Sequence, residues 1–365
     1  MKENAIVYCE GAFNTTNGKT AHGLVRFTER FEIIAVIDSN HSGKDSGWVL
    51  SGKPNHIPIL RDLNDALIHA TEREVSISTF IIGLAPDGGR IPDHALQAVR
   101  DAIRSGLDII SGLHDFITEN EILVALAEKY DCRLTDIRKP PERDKLHFFS
   151  GKIEQVDCLK IAVLGTDSAV GKRTTAWILV HGFRKHGYRA EMIGTGQTAW
   201  LQGARYCVVL DSLVNDFVAG EIEHAVHEAW KNEHPDVIIL EGQGSLMNPA
   251  YPGGFELLAA GRPDLVVLQH APRRKEYDGF PGYALHPLKD QIRAIEIISG
   301  KKVVAITINH EGMQRDEIPG ECARISRETG LPAFDVLENG GEGILDLFKS
   351  VMKDEITRNP VAPVF

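Results

Sequence analysis

Residues 159–180, LKIAVLGTDSAVGKRTTAWILV, read as a β-branched strand, a loop bounded by glycines and a helix opened by Lys172. Gly165 and Gly171 admit backbone conformations closed to other residues. The amides of Thr166, Asp167, Ser168, Ala169 and Val170 between them can therefore turn inward, and the following helix adds its positive end. Lys172 supplies a mobile full charge, and Arg173, Thr174 and Thr175 complete the first helical turn. The stretch predicts a nest for phosphate oxygens at the end of a buried strand. That arrangement belongs to α/β proteins with a parallel sheet.

On either side of this stretch, apolar runs bounded by turn residues alternate with segments of helical period along the whole chain. After the loop, strands are expected at Glu191–Ile193, Cys207–Leu210, Val237–Leu240, Leu265–Leu268, Val303–Ile308 and Ala333–Val336, with helices at 172–186, 214–232, 288–299, 321–329 and 343–353. Before it, strands are expected at Ala5–Tyr8, Ile33–Asp38, Ile77–Gly83 and Asp108–Ser111, with helices at 93–105 and 120–130. This first series has a Rossmann-like layout but carries no Gly-x-Gly-x-x-Gly after any strand, which argues against dinucleotide redox chemistry. RKPPERD, residues 138–144, breaks both periodicities with two prolines and a cluster of charge. The expectation is a Rossmann-like N-terminal domain over 1–150 and a phosphate-loop domain with a parallel sheet over 151–365.

Composition narrows the function. Of 365 residues, 40 are Lys or Arg and 51 are Asp or Glu, giving a net charge of −11. An acidic chain without a basic run repels a nucleic-acid backbone, so no nucleic-acid partner is expected. The N-terminal stretch MKENAIVYCE is too short and wrongly flanked for a signal peptide, and no apolar run approaches the roughly 18 residues of a membrane span. Cys9, Cys132, Cys158, Cys207 and Cys322 are scattered singly, which encodes neither a disulfide framework nor a zinc knuckle. A cytoplasmic protein acting on small molecules fits best, and a homo-oligomer is left open.

The loop departs from the standard Gly-x-x-x-x-Gly-Lys-[Ser/Thr] pattern in two ways. Five residues separate its glycines, and Arg173 stands where a hydroxyl normally reaches Mg²⁺. A guanidinium repels a cation, so phosphates there are expected to be neutralised without metal. Thr174 or Thr175 would have to replace that hydroxyl in a metal-dependent site.

Residues 236–246, DVIILEGQGSL, place Glu241 after an apolar run, with Gly242 and Gly244 allowing close backbone approach. A carboxylate at the mouth of a parallel sheet near phosphates can accept a proton from a nucleophile. The loop IGTGQTAW, with Thr195, Gly196 and Gln197, and Asp211 also end strands and are expected to face the ligand. QHAPRRKEYDGFPGYALHP, residues 269–287, gathers His270, Arg273, Arg274, Tyr277, Asp278, Tyr283 and His286 in one long connection. In the first half, SGLHDF carries His114 and Asp115, and APDGGRIP carries Arg90. EHAVHEAW, residues 223–230, sets His224 and His227 three apart on a helix and reads as a solvated face rather than a metal site. GAFNTTNGKT, residues 11–20, reads as an ordinary strand-to-helix loop.

Taken together, KTAHGLVR, GLAPDGGRIP, SGLHDF, TDIRKPP, GTDSAVGKRTT, LEGQGSL, QHAPRRKEYDGFPGY and HPLKDQI occur in order through nearly the whole chain. In these segments the chain resembles the P-loop family that includes D-glutamate N-acetyltransferase, long catalogued only as a domain of unknown function. The longer loop, opening Gly-Thr-Asp and closing Val-Gly-Lys, is similar to that of dethiobiotin synthetase. The family resemblance implies a Rossmann-like domain, a P-loop domain and transfer of acetyl from acetyl-CoA to the amine of D-glutamate. Acetyl-CoA carries phosphates but needs no metal, which suits the Arg173 loop. On this reading Gly165–Thr175 hold the phosphates and Glu241, or else His270, takes the ammonium proton. Amides around Gly242–Gly244 would face the oxyanion. Arg90, Arg138, Gln243, Arg273 and Arg274 are the candidates for binding the amino acid. The rival readings are an ATP- and Mg²⁺-dependent ligase or carboxylase and a non-catalytic nucleotide- or CoA-binding protein.

Overall fold

In the computed structural model, which describes residues 2–348, the chain divides into two units. The first holds the residues up to Glu142 together with Gly196–Ala204 and Val209–Leu213; the second holds Arg143–Thr195, Arg205–Val208 and the chain from Val214 onward.

The first unit is built on six parallel strands: β1 (Glu3–Tyr8), β2 (Phe31–Ile37), β3 (Ile59–Leu60), β4 (Thr79–Ile82), β5 (Asp108–Ser111) and β6 (Leu134–Asp136). Their order is β3-β2-β1-β4-β5-β6, and every pairing is parallel. Such a sheet is covered on both faces, so its strands read as nearly continuous apolar runs. Ile6, Val7, Val36, Ile81 and Ile109 are all buried in the resulting core.

The helix Gln197–Gln202 belongs to this unit although it follows a strand of the other sheet in sequence. The Gln202 side-chain amide donates to the carbonyls of Gly23 (2.9 Å) and Phe27 (3.1 Å), and Arg30 lies 4.0 Å over the Trp200 ring. Ala199 and Leu201 are fully buried. Gln197, expected at the ligand end of the second sheet, instead joins the first unit for this reason; Asp211, also expected there, joins it in the segment Val209–Leu213, where its carboxylate accepts from Arg138.

The second unit has seven strands: β7 (Leu159–Gly165), β8 (Ala190–Gly194), β9 (Tyr206–Cys207), β10 (Val237–Glu241), β11 (Leu265–His270), β12 (Lys302–Ile308) and β13 (Ala333–Phe334). The order β13-β12-β11-β7-β10-β8-β9, again all parallel, puts β7 near the centre, where all seven of its residues are buried. Where parallel order reverses direction beside a central strand, the loops at the carboxyl ends form a crevice. The loop after β7 lies between those after β10 and β11.

Three expected strands are shorter than read: Ile77–Gly83 is a strand only over Thr79–Ile82, and Cys207–Leu210 and Ala333–Val336 end early. Leu210–Ser212 turns into a 3₁₀ segment, and the Asp335 carboxylate accepts from the amides of Leu337 and Glu338, each at 3.0 Å, which starts the helix Val336–Asn339. The expected helix at 343–353 is helical over 342–348; its remainder lies outside the described residues. No helix among the described residues is long and apolar enough to cross a membrane.

The helix Asn215–Glu233 corrects one reading. Its histidine face is covered by chain rather than solvated: His224 stacks on His147 with centroids 3.6 Å apart, and buried Glu223 accepts from the Ser150 amide (2.6 Å) and hydroxyl (2.8 Å) and the Ile153 amide (3.2 Å). Gly220 permits this approach, since a Cβ there would stand 2.0 Å from the His147 carbonyl oxygen. Gly220→Ala is expected to lift residues 147–150 off the helix and cost about 2 kcal/mol. A chemical-denaturation midpoint equal to wild type would contradict the contact.

Candidate active site around the phosphate loop

β7 ends at Gly165, and the chain then turns through Thr166–Gly171 into the helix Lys172–Lys185. The Thr166 amide donates to the Gln269 carbonyl at 2.9 Å, which extends the β7–β11 pairing by one residue. Ala169 (φ 52°) and Gly171 (φ 108°) then adopt left-handed conformations. Among the described residues the amides of Ala169, Val170 and Gly171 donate no hydrogen bond. Unengaged amides bent by left-handed residues at a helix start are what an anion needs. Gly165 has its own reason: a Cβ there would lie 2.8 Å from Cδ of Lys172, whose side chain folds over it.

Lys172 is buried and donates to the carbonyls of Asp167 and Gly244, both at 2.7 Å. Burial pulls its pKa down to about 8, against the opposing pull of Asp167 and Glu241. It therefore keeps a proton at neutral pH and bridges the phosphate loop to the loop after β10.

Asp167, fully buried, is the tie between three loops. It accepts from the Ser168 amide (2.6 Å), the Asn248 side chain (2.9 Å), Arg274 (3.0 Å) and the Asp278 amide (2.9 Å). Arg274 also donates to the Ser168 carbonyl at 2.7 Å and to Glu311 at 2.9 Å. Its guanidinium thus braces the phosphate loop rather than pointing a free fork at a substrate. Asp167→Asn removes the charge opposing Arg274 and is expected to cost about 2 kcal/mol, the scale of hydrogen bonds to charged groups. Thermal unfolding checks this: an unchanged midpoint would mean that the loops are held elsewhere.

Glu241 closes β10, is buried, and accepts from the Thr195 amide at 2.9 Å. The Thr195 hydroxyl donates to the Glu241 carbonyl at 2.9 Å and accepts from the Gln243 side chain at 2.9 Å. Burial raises the carboxyl pKa above its ordinary value, opposed by Arg173, Thr195 and Lys172. His270 closes β11, where its Nδ1 meets the Thr166 hydroxyl at 3.0 Å. Burial, and then the Arg324 charge, push its pKa down to about 4. Between the two, the carboxylate with the raised pKa is better matched to taking a proton near neutrality.

The geometry sorts the remaining sequence expectations. Thr175 turns its hydroxyl to the Gln269 side chain at 2.5 Å, which Thr307 also reaches, so it faces the core below the loop. The Gly242 amide donates to the Val163 carbonyl at 3.0 Å and is used by the sheet, not by an oxyanion. Arg273 forms a surface pair with Glu317 at 2.7 Å. Arg90 and Arg138 belong to the first unit. There Arg90, 82% exposed, pairs with Asp115, whereas Arg138 is buried and donates to Asp211, the Gly112 carbonyl (2.6 Å) and Gln197 (2.9 Å). Beside Arg138, burial and the guanidinium hold the His114 pKa below its usual value.

Asn248, Gln269 and Glu311 were missed by sequence reasoning. Gln269 carried a usable signal, as a polar residue inside an otherwise apolar strand, as did its partner Thr307 in β12, which was missed as well. Among the described residues no group of three or more His, Cys, Asp or Glu side chains is placed to hold a metal ion.

The model of a family described as a domain of unknown function, DUF1611, matches its P-loop domain to residues 147–345 and its Rossmann-like domain to residues 39–140. Two relatives named D-glutamate N-acetyltransferase, from Pseudoalteromonas sp and Tritonibacter scottomollicae, are 30% identical over 279 residues and 31% identical over 283. The alignments cover 74% and 75% of this chain and 81% of each relative. The crystal structure of a DUF1611 family protein from Anabaena variabilis is similar with a TM-score of 0.86 at 30% identity, covering 94% of this chain and 98% of that one. With a phosphate loop on the central strand of one parallel sheet, a Rossmann-like sheet before it and both family domains matched, this chain belongs to the DUF1611 family.

Proposed function

We propose that this protein is an N-acetyltransferase that moves the acetyl group of acetyl-CoA to the amine of an acidic amino acid, D-glutamate. The observation that carries the reading is a buried carboxylate, Glu241, one strand away from a phosphate loop that presents Arg173 where a metal-binding hydroxyl would stand. The names of the two relatives support the acyl acceptor.

The residues present suit CoA phosphates: unengaged amides at Ala169–Gly171, a protonated Lys172 and the Arg173 charge together favour an anion without a divalent ion. Glu241 takes a proton from the substrate ammonium, and the freed amine attacks the thioester carbonyl carbon. As the tetrahedral adduct collapses, the new C–N bond stays and the C–S bond breaks. Of the two protons lost by nitrogen, one reaches the departing sulfur and one reaches solvent, which leaves an amide and CoA thiol.

Thiol release from acetyl-CoA across D- and L-amino acids tests the reading, with D-glutamate expected to be the best acceptor. ADP release from ATP and Mg²⁺ with candidate acids, and no thiol release, would replace it with a ligase or carboxylase.

A further inference from the structure

The connection after β11 contains an ordered hairpin over residues 275–285. The Leu285 amide donates to the Lys275 carbonyl at 2.8 Å and the Tyr277 amide to the Tyr283 carbonyl at 3.0 Å, while Gly279 (φ 79°) and Gly282 (φ 87°) turn its tip. Tyr277 anchors the hairpin: its side chain is buried and its hydroxyl meets His286 Nδ1 at 2.7 Å. The Asp278 amide fastens the tip to Asp167 of the phosphate loop at 2.9 Å. Phe280 at this tip packs edge-on against two tyrosines, Tyr283 (58% exposed, centroids 6.4 Å apart) and Tyr251 (51% exposed, 6.2 Å apart). Tyr251 comes from the loop after β10. Its Cβ stands 3.3 Å from the position a Cβ on Gly244 would take, and the Gly244 carbonyl accepts from the Lys172 ammonium at 2.7 Å. Two separately anchored loops therefore bring three aromatic rings to the rim of the phosphate loop and leave two of them half in water. Clustered exposed rings of this kind mark a binding surface, unlike single scattered ones.

We propose that Tyr251, Phe280 and Tyr283 form a stacking platform for the adenine ring of a nucleotide whose phosphates lie on the loop Ala169–Lys172. The inference rests on the acetyltransferase reading, under which that nucleotide is the adenosine end of acetyl-CoA, and it deepens that reading by assigning the part of the coenzyme farthest from the thioester. The occupant follows from continuity with the phosphate loop. A purine is a flat π surface joined to phosphate through a single ribose, and a site for each half of that pattern lies beside the other here. Stacking needs only the faces of the rings, and rings fixed in advance lose little freedom when the base arrives. An amino acid such as D-glutamate has no π face with which to use them. Because the adenine is remote from the bond that breaks, the platform holds substrate and transition state equally and acts on KM rather than kcat.

The test is equilibrium dialysis and thiol release with the full chain. In the wild type, AMP is expected to compete with acetyl-CoA at least about tenfold better than ribose 5-phosphate, which carries the same phosphate and no base. This comparison needs no variant, so it decides the platform even if a substituted chain fails to fold. The double variant Tyr251→Ala/Tyr283→Ala is expected to raise the dissociation constant and KM for acetyl-CoA at least about tenfold, with kcat within about twofold of wild type. Tyr251→Phe/Tyr283→Phe keeps the ring faces and is expected to keep wild-type values. Acetylated pantetheine, which lacks the adenosine end, should be used equally by all three proteins. Equal competition by AMP and ribose 5-phosphate, or an unchanged KM for acetyl-CoA in the alanine variant, overturns the platform and leaves the transferase reading in place. So does a wild-type dimer in sedimentation that the alanine variant loses with its acetyl-CoA affinity intact, which would assign the rings to a second copy of this chain. No binding of acetyl-CoA, with ADP bound by the wild type and at least about tenfold more weakly by the alanine variant, keeps the platform for an ATP-type nucleotide and overturns the transferase reading. Binding of neither nucleotide overturns both.

Discussion

Glu241→Gln is expected to slow thiol release from acetyl-CoA by about a hundredfold or more, with cofactor affinity within about twofold of wild type. The two side chains have the same shape, and the Thr195 amide that donates to Glu241 at 2.9 Å can donate equally to an amide oxygen. What is lost is the ability to hold a proton. Because burial raises the Glu241 pKa above the ordinary carboxylate range, the wild-type rate should climb with pH through that raised value and then level off. The glutamine variant should lack that limb. Stability should not fall, since the substitution removes a buried group whose charged form is disfavoured. Stopped-turnover assays, equilibrium dialysis and a pH profile separate these effects. A variant with weak binding and normal turnover at saturation would reverse the assigned roles of Glu241 and Lys172.

Lys172→Ala is expected to weaken acetyl-CoA binding by about a hundredfold, in line with about 1.5–3 kcal/mol for hydrogen bonds to charged groups. In the free protein the ammonium donates to the Asp167 and Gly244 carbonyls, so the variant also loses the bridge between the loops after β7 and β10. The pKa of about 8 adds a second signature. Only the protonated form attracts phosphate, so wild-type affinity should be full below about pH 8 and decline above it, and the alanine variant should show no such decline. Calorimetric titration across pH 6–9 measures both. Equal affinity in the variant would place the phosphates elsewhere in the molecule.

Much of the second unit was legible. The run LKIAVLG, the glycine-bounded loop and the following helix all form as their residues dictate, because glycine geometry and a fully apolar strand are local properties. Glu241 at the end of VIILE was legible for the same reason. Short elements were not: the two residues of β3, for instance, have no period long enough to read. Nor could charge alone assign a role to an arginine. Four arginines look alike as substrate clamps in sequence. In the fold, Arg274 braces the phosphate loop through Asp167, Arg273 pairs on the surface, Arg138 is buried against Gly112, Gln197 and Asp211, and Arg90 stands in solvent beside Asp115.

Residue order alone dictates that two parallel sheets form, where the glycine-bounded loop lies and which carboxylate ends the neighbouring strand. Those features depend on backbone permissiveness and on apolar period, which neighbours in sequence supply. Long-range packing sets the rest: Gln197–Gln202 joins the first unit, the EHAVHEAW face is covered by residues 147–153, and the Ser245 hydroxyl is left without a partner. Each of these depends on which distant groups compete for one buried donor or acceptor. The pairs that win are set by packing between segments 50 or more residues apart, a distance over which no local pattern carries information.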